Sequence, residues 1–282
     1  MLGLAKKKRS GPKRSLRRVL GNYSLPTFPA IAMKAMKMLR DDSVSLHEVA
    51  GVLMTDPGLS STMLSMVNSA SSALSHPVTS ISHAATLLGR SQIETMLVAV
   101  AASRALPTTL EHLDMCAFWR TSTRRAAIAG RLADELHAAS QANSYTAGLL
   151  QDMAIPILMQ AKKRAYGQLF DSWLQEGGSL IERERDAFGW DHAEVGAWLC
   201  QDWNFPAHLT AAIAGHHGPG SAGEEAEPAV RLASLIRGGD DDADYEALIE
   251  VASRDFGLDP AVCRPLLESA GQEGDAVAKL FR

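Results

Sequence analysis

Asp56-Pro57-Gly58-Leu59-Ser60-Ser61-Thr62-Met63-Leu64-Ser65-Met66-Val67 decides the fold class. An aspartate ahead of a proline is a helix start: the carboxylate accepts a backbone N–H, and proline at the first helical position gives up an N–H the helix would not have used. Leu59, Met63, Met66 and Val67 then share one face of a 3.6-residue period, a stripe that must be buried. The same grammar extends outward. Ser45-Leu-His-Glu48 and Ser91-Gln-Ile-Glu94 read as capping boxes, and Gly89 and Pro107 as stops. Asp191 reads as the cap of a helix carrying His192 in its first turn, and Pro156 as a kink after Asp152. No stretch of strand length alternates apolar and polar residues, so the expected fold is all-α.

The chain has 282 residues, 46% apolar and 21% charged, enough for a substantial core. Its net charge of −4 hides an asymmetry: residues 1 to 40 carry 11 basic groups and no acid, leaving 17 basic and 32 acidic groups for the rest. Lys6, Lys7, Lys8, Arg9, Lys13, Arg14, Arg17 and Arg18 crowd around Gly11-Pro12, which predicts a disordered basic arm over residues 1–24. Such an arm serves as a solubilising tail, or makes weak, salt-sensitive contact with nucleic acid or an anionic membrane. From Ser221 onward 14 acids face 6 basic residues, and a polar linker leads into an acidic helical extension over 220–282. Cys116, Cys200 and Cys263 have neither a disulfide nor a zinc spacing and read as reduced thiols in apolar settings. Without a long apolar run or a secretory leader, the expected location is the cytoplasm.

Chemistry concentrates in three places. Gln151-Asp152 follows Ala147-Gly-Leu-Leu150, His192 lies in Asp-His-Ala-Glu-Val-Gly, and His216-His217 precedes Gly218-Pro219. A metal needs several imidazole or carboxylate donors at about 2 Å, and the amide of Gln151 is a poor one. The remaining histidines lack a metal spacing. Asn68 reads as a backbone-bonding amide, Trp119, Trp190, Trp198 and Trp203 as packing residues, and Met33, Met36, Met54, Met63 and Met66 as core filling or an adaptable surface.

These motifs resemble the HD superfamily of metal-dependent phosphohydrolases, in which a histidine stands where this chain has Gln151. Leu25-Pro-Thr-Phe-Pro-Ala30, Asp56-Pro-Gly-Leu-Ser60, Val67-Asn-Ser-Ala70, Phe118-Trp-Arg120, Phe188-Gly-Trp-Asp-His192, Trp203-Asn-Phe-Pro206 and Ile213-Ala-Gly-His-His-Gly-Pro219 together resemble the HDOD family, the HD-related output domains. The resemblance runs from Leu25 to Pro219. It implies a bilobed helical fold, with an N-terminal lobe over 25–107 and a degenerate HD lobe over 108–219, and a regulatory role beside receiver, kinase or cyclic-dinucleotide enzyme partners. Against the active HD pattern, the first histidine is Thr121 or Ser122, the second is Gln151, and the last aspartate aligns with Ser234. His192, His216 and His217 match positions that help hold metals in the related HD-GYP phosphodiesterases.

The resulting expectation is a catalytically inactive signalling adaptor without cofactor or metal. Asp152, His192, His216, His217, Gln151 and Thr121 then form a remnant site. The alternative is a nucleotide or cyclic-dinucleotide sensor, or a residual phosphohydrolase, using the same residues.

Overall fold

The computed structural model describes residues 12–70, 77–136, 141–218, 227–238 and 241–281. Every regular element among them is helical. In the first lobe, α2 (Ala30–Leu39), α3 (Leu46–Leu53), α4 (Pro57–Ala70) and α5 (Ile81–Ala105) pack together. The Ser45–Glu48 capping box is built, and Asp56 accepts the Leu59 N–H at 2.9 Å as the cap of α4. Leu59, Met63, Met66 and Val67 are buried as their period requires. Asn68 exchanges two hydrogen bonds with the backbone of Val78, at 3.0 and 2.7 Å, tying the end of α4 to the start of α5.

The second capping box is not formed. The chain bends at Gly89 with φ 76°, a left-handed value that favours glycine, and α5 resumes at once. Arg90 then donates to the carbonyls of Leu39, at 2.9 Å, and Val44, at 2.6 Å, satisfying the orphan acceptors after α2. Glu94 is taken by Arg40 at 2.9 Å instead of reaching back to Ser91.

The second lobe is built from α6 (Met115–Glu135), α7 (Gln141–Leu150), α8 (Ala154–Lys162), α9 (Arg164–Glu176), α10 (Leu180–Phe188), α11 (His192–Asp202) and α12 (Ala207–Ala214); α7 packs on α6 and α12, α11 on α12 and α8, and α9 on α8 and α10. The two lobes share one continuous apolar core. Phe28, from the Leu-Pro-Thr-Phe-Pro motif, packs at 5.4 Å on Trp203 and 5.2 Å on Phe205, which explains why those distant motifs occur together.

The basic arm needs correcting. Pro12–Leu20 forms helix α1, with Ser15, Leu16, Val19 and Leu20 buried against α8 and α11 and Lys13, Arg14, Arg17 and Arg18 exposed. Apolar residues at that spacing stabilise the helix despite its like charges. Lys6, Lys7, Lys8 and Arg9 lie outside the described residues.

The C-terminal extension also joins the second lobe. After α13 (Pro228–Ala233) and α14 (Asp241–Phe256), α15 (Pro260–Ala278) runs unbroken through Pro265 and lies along α6. A second apolar cluster lies between them, from Ile128 and Leu132 to Leu248 and Leu267. Arg124 grips Asp275 through two 2.7 Å bonds, and Phe281 stacks on Trp119 at 4.5 Å. Glycines allow α6 its close neighbours. A Cβ on Gly148 of α7 would lie 2.8 Å from the Arg125 carbonyl oxygen, and one on Gly274 of α15 would lie 2.6 Å from the Arg124 Cα. Of the cysteines, Cys200 and Cys263 are buried, whereas Cys116 is exposed rather than sunk in the core.

Candidate functional site

Asp152 sits in a break rather than in a helix with a kink. α7 ends at Leu150, Gln151–Met153 turn, and α8 begins at Ala154 with Pro156 in its first turn, where a missing N–H costs nothing. The turn leaves the Asp152 side chain 11% exposed, facing α6 on one side and the histidines on the other.

Three histidines meet it there. His192 opens α11, whose cap Asp191 accepts the Glu194 N–H at 2.8 Å, as the sequence predicts. His216 and His217 follow the end of α12. From Asp152 Oδ1, His216 Nε2 is 3.2 Å away and His192 Nε2 is 3.4 Å; His192 Nε2 is 3.1 Å from His217 Nε2. One donor atom from each of the four residues lies within 4.8 Å of every other. His192 and His216 are buried, while His217 is exposed along one wall of an adjoining cavity.

Two residues without a sequence motif set the electrostatics. Arg125 of α6 forms a buried ion pair with Asp152 and donates from Nε to the Ile236 carbonyl at 2.7 Å, so the C-terminal extension aims the guanidinium. Burial alone would raise the Asp152 pKa. The Arg125 charge, aided by the nearby His192 and His216 rings, outweighs it and holds the carboxyl well below its usual range. Glu184 of α10 is fully buried and accepts from the Tyr166 hydroxyl, from the His192 backbone N–H at 2.9 Å and from His192 Nδ1 at 2.7 Å. Burial disfavours a charged His192, but the Glu184 charge and the contact with Asp152 overcome it and push the ring up to about 10.

The positions that the family resemblance sets against HD ligands surround the same site. Thr121, Ser122 and Ser234 line a cavity of about 640 Å³ that opens over Asp152, His192 and His217. Gln151 is 1% exposed, and its amide makes no hydrogen bond among the described residues. The remnant residues are therefore brought to one place. Gln151 stands beside it as a buried amide, and Thr121 is on the cavity wall.

The body is all-helical and two-lobed, with an aspartate and three histidines converging between helix ends, the architecture of an HD-related fold. The HDOD domain model matches residues 25–219, and the chain belongs to that family. It is 26% identical over 231 residues to an uncharacterized protein of Treponema pallidum (strain Nichols), covering 79% of this chain and 44% of the relative. The chain thus spans less than half the length of that curated relative. Among solved structures it is similar to a candidate phosphohydrolase from Shewanella amazonensis SB2B, with TM-score 0.77, 22% identity and coverage of 95% of this chain and 98% of that one. It is also similar to an HDOD domain protein of unknown function from Geobacter sulfurreducens, with TM-score 0.72, 24% identity and coverage of 94% and 97%. Among the described residues no helix is long and apolar enough to cross a membrane.

Proposed function

We propose that this chain is a catalytically silent HDOD module that regulates signalling by binding other proteins, of the receiver, kinase or cyclic-dinucleotide enzyme type. The observation that carries this reading is the Arg125–Asp152 ion pair. The carboxylate that survives from the HD signature already has a cation, fixed from behind by the Ile236 carbonyl. Hydrolysis by a metal requires an open position where water is activated, and the residues that would complete an HD centre are Thr121, Gln151 and Ser234. Met33, Met54 and Leu87, all exposed on the N-terminal lobe, supply soft apolar surface for a partner. Purified protein supplied with manganese, iron or zinc is expected to turn over no phosphomonoester, phosphodiester or cyclic dinucleotide. Partner capture is expected to be lost on Met54→Asp and Leu87→Asp without loss of folding. Turnover abolished by Asp152→Asn would establish the phosphohydrolase reading instead.

A second contact surface is supported by α1, whose exposed face carries Lys13, Arg14, Arg17 and Arg18 together. Deleting residues 1–20 would strip Leu16, Val19 and Leu20 from the core, so charge neutralisation is the cleaner test. Changing Arg14, Arg17 and Arg18 to Gln is expected to weaken binding to duplex DNA and anionic vesicles. For DNA, the slope of log affinity against log salt should fall by about 0.9 for each phosphate that the protein ceases to neutralise. Unchanged binding would remove α1 from consideration.

A further inference from the structure

The cavity beside the aspartate–histidine cluster changes character along its length. One face of α6 forms a wall of it: Ala117, Phe118, Thr121, Ser122 and Arg125 recur there at helical spacing. From Asp114 to Arg125 that face is about 16 Å long, apolar in its first part, hydroxylated in the middle and charged at the end. Phe170, Trp173, Leu174 and Leu180, from α9 and the start of α10, add further apolar wall. Phe170 and Trp173 pack at 5.2 Å, and the Trp173 indole N–H donates to the Gly178 carbonyl at 3.1 Å, which fixes the ring. Leu174 is 62% exposed, apolar surface that a bound molecule would cover. At about 640 Å³ the cavity is of the size that takes a small organic ligand.

The charges on the wall decide which ligand. Arg125 is bound to Asp152, Arg185 to Asp191, and His192 lies between Glu184 and Asp152. Arg237 is different. Asp244 Oδ2 accepts from the backbone N–H groups of Arg237, at 2.6 Å, and Gly238, at 2.8 Å, which pins this turn, and the Arg237 guanidinium makes no ion pair among the described residues. The turn lies against Thr121, since a Cβ on Gly238 would stand 2.1 Å from its Oγ1. One uncommitted cation beside hydroxyls suits one negative charge. A polyphosphate would bring several, and would meet Asp114 and Glu182 on the same wall. We infer that this cavity binds an amphipathic organic monoanion, with its carboxylate at Arg237, Thr121 and Ser122 and its apolar body along Phe118, Phe170 and Trp173. The site rests on neither the histidine cluster nor the adaptor reading, whose contact surface is on the other lobe.

The test is calorimetric titration of full-length protein with hexanoate, octanoate and decanoate, kept below the concentration at which they form micelles, and with 2-naphthoate and decanol. One equivalent of decanoate is expected to bind, with affinity rising about fourfold for each added methylene. A linear and a fused-ring carboxylate share the required chemistry, and decanoate against 2-naphthoate tells which body the walls prefer. Decanol, which has the same body without the charge, should bind at least 10-fold more weakly than decanoate. Arg237→Gln should weaken decanoate at least 10-fold and leave decanol unchanged. Ala117→Trp fills the cavity from an exposed position on α6, so it should abolish binding of every ligand while the helical circular dichroism and the melting temperature are kept. Saturation by neither carboxylate, decanol binding as tightly as decanoate, or decanoate affinity unchanged in Arg237→Gln or in Ala117→Trp would overturn the site.

Discussion

Arg125→Met is expected to lower the free energy of unfolding by about 3–5 kcal/mol, because it strands the Asp152 carboxylate in a buried setting. Asp152→Asn alone is expected to be costly too, since it leaves the guanidinium without a counter-charge in side-chain surroundings only 9% exposed. The pair removed together, as Arg125→Met with Asp152→Asn, should be far less damaging than the sum of the single changes. Buried ion pairs are weak sources of stability when intact and costly when half broken. Urea unfolding of the four proteins gives the coupling directly from the double-mutant cycle. Additive losses would mean that Arg125 acts mainly through its bond to the Ile236 carbonyl. That would separate the cation from the histidine cluster.

Gly274→Val is expected to cost about 2–3 kcal/mol, as an overpacked contact with no room to relax. The atoms that a Cβ would meet are backbone: Arg124 Cα at 2.6 Å, Arg124 N at 2.7 Å and the Thr123 oxygen at 2.8 Å. Side chains can swing away, whereas a helix backbone can yield only by moving the whole of α15 off α6. Gly51→Ala is the contrasting change. Gly51 lies in α3 with nothing within 4 Å of an added Cβ, and alanine there should stabilise by about 0.5–1 kcal/mol. Thermal and urea unfolding of the two variants test the distinction. A neutral Gly274→Val would mean that the C-terminal helix is only loosely docked.

The helical class was legible because caps and apolar periodicity are local properties, written within a turn or two of the residues they control. Asp152, His192, His216 and His217 were legible as one site through the family resemblance. Arg125 and Glu184 were not, although both are indispensable to its electrostatics. Glu184 sits within Glu182-Arg-Glu-Arg-Asp186, a run that reads as a solvated face; its spacing of four from the buried Leu180 was the available signal. Arg125 lies within Ser122–Ala129, a stretch buried on every side of α6, where an arginine implies a buried acceptor. The basic arm misled for the opposite reason. Charge density drew attention from Leu16, Val19 and Leu20, whose spacing supplies the docking face of α1. The break at Gln151–Met153 depends on helices distant in sequence, so no local pattern announces it.

The docking of α15 on α6 has a consequence for the order of events during synthesis. α6 occupies residues 115–135 and is flanked on one side by α7, which follows almost at once, and on the other by a helix that starts at residue 260. The groove that α15 fills must therefore stay open while more than a hundred further residues emerge from the ribosome, and contacts of such separation form late. Until they form, Ile128, Leu132 and Ala133 have half a core. The nascent chain is thus most vulnerable to aggregation and proteolysis just before α15 arrives.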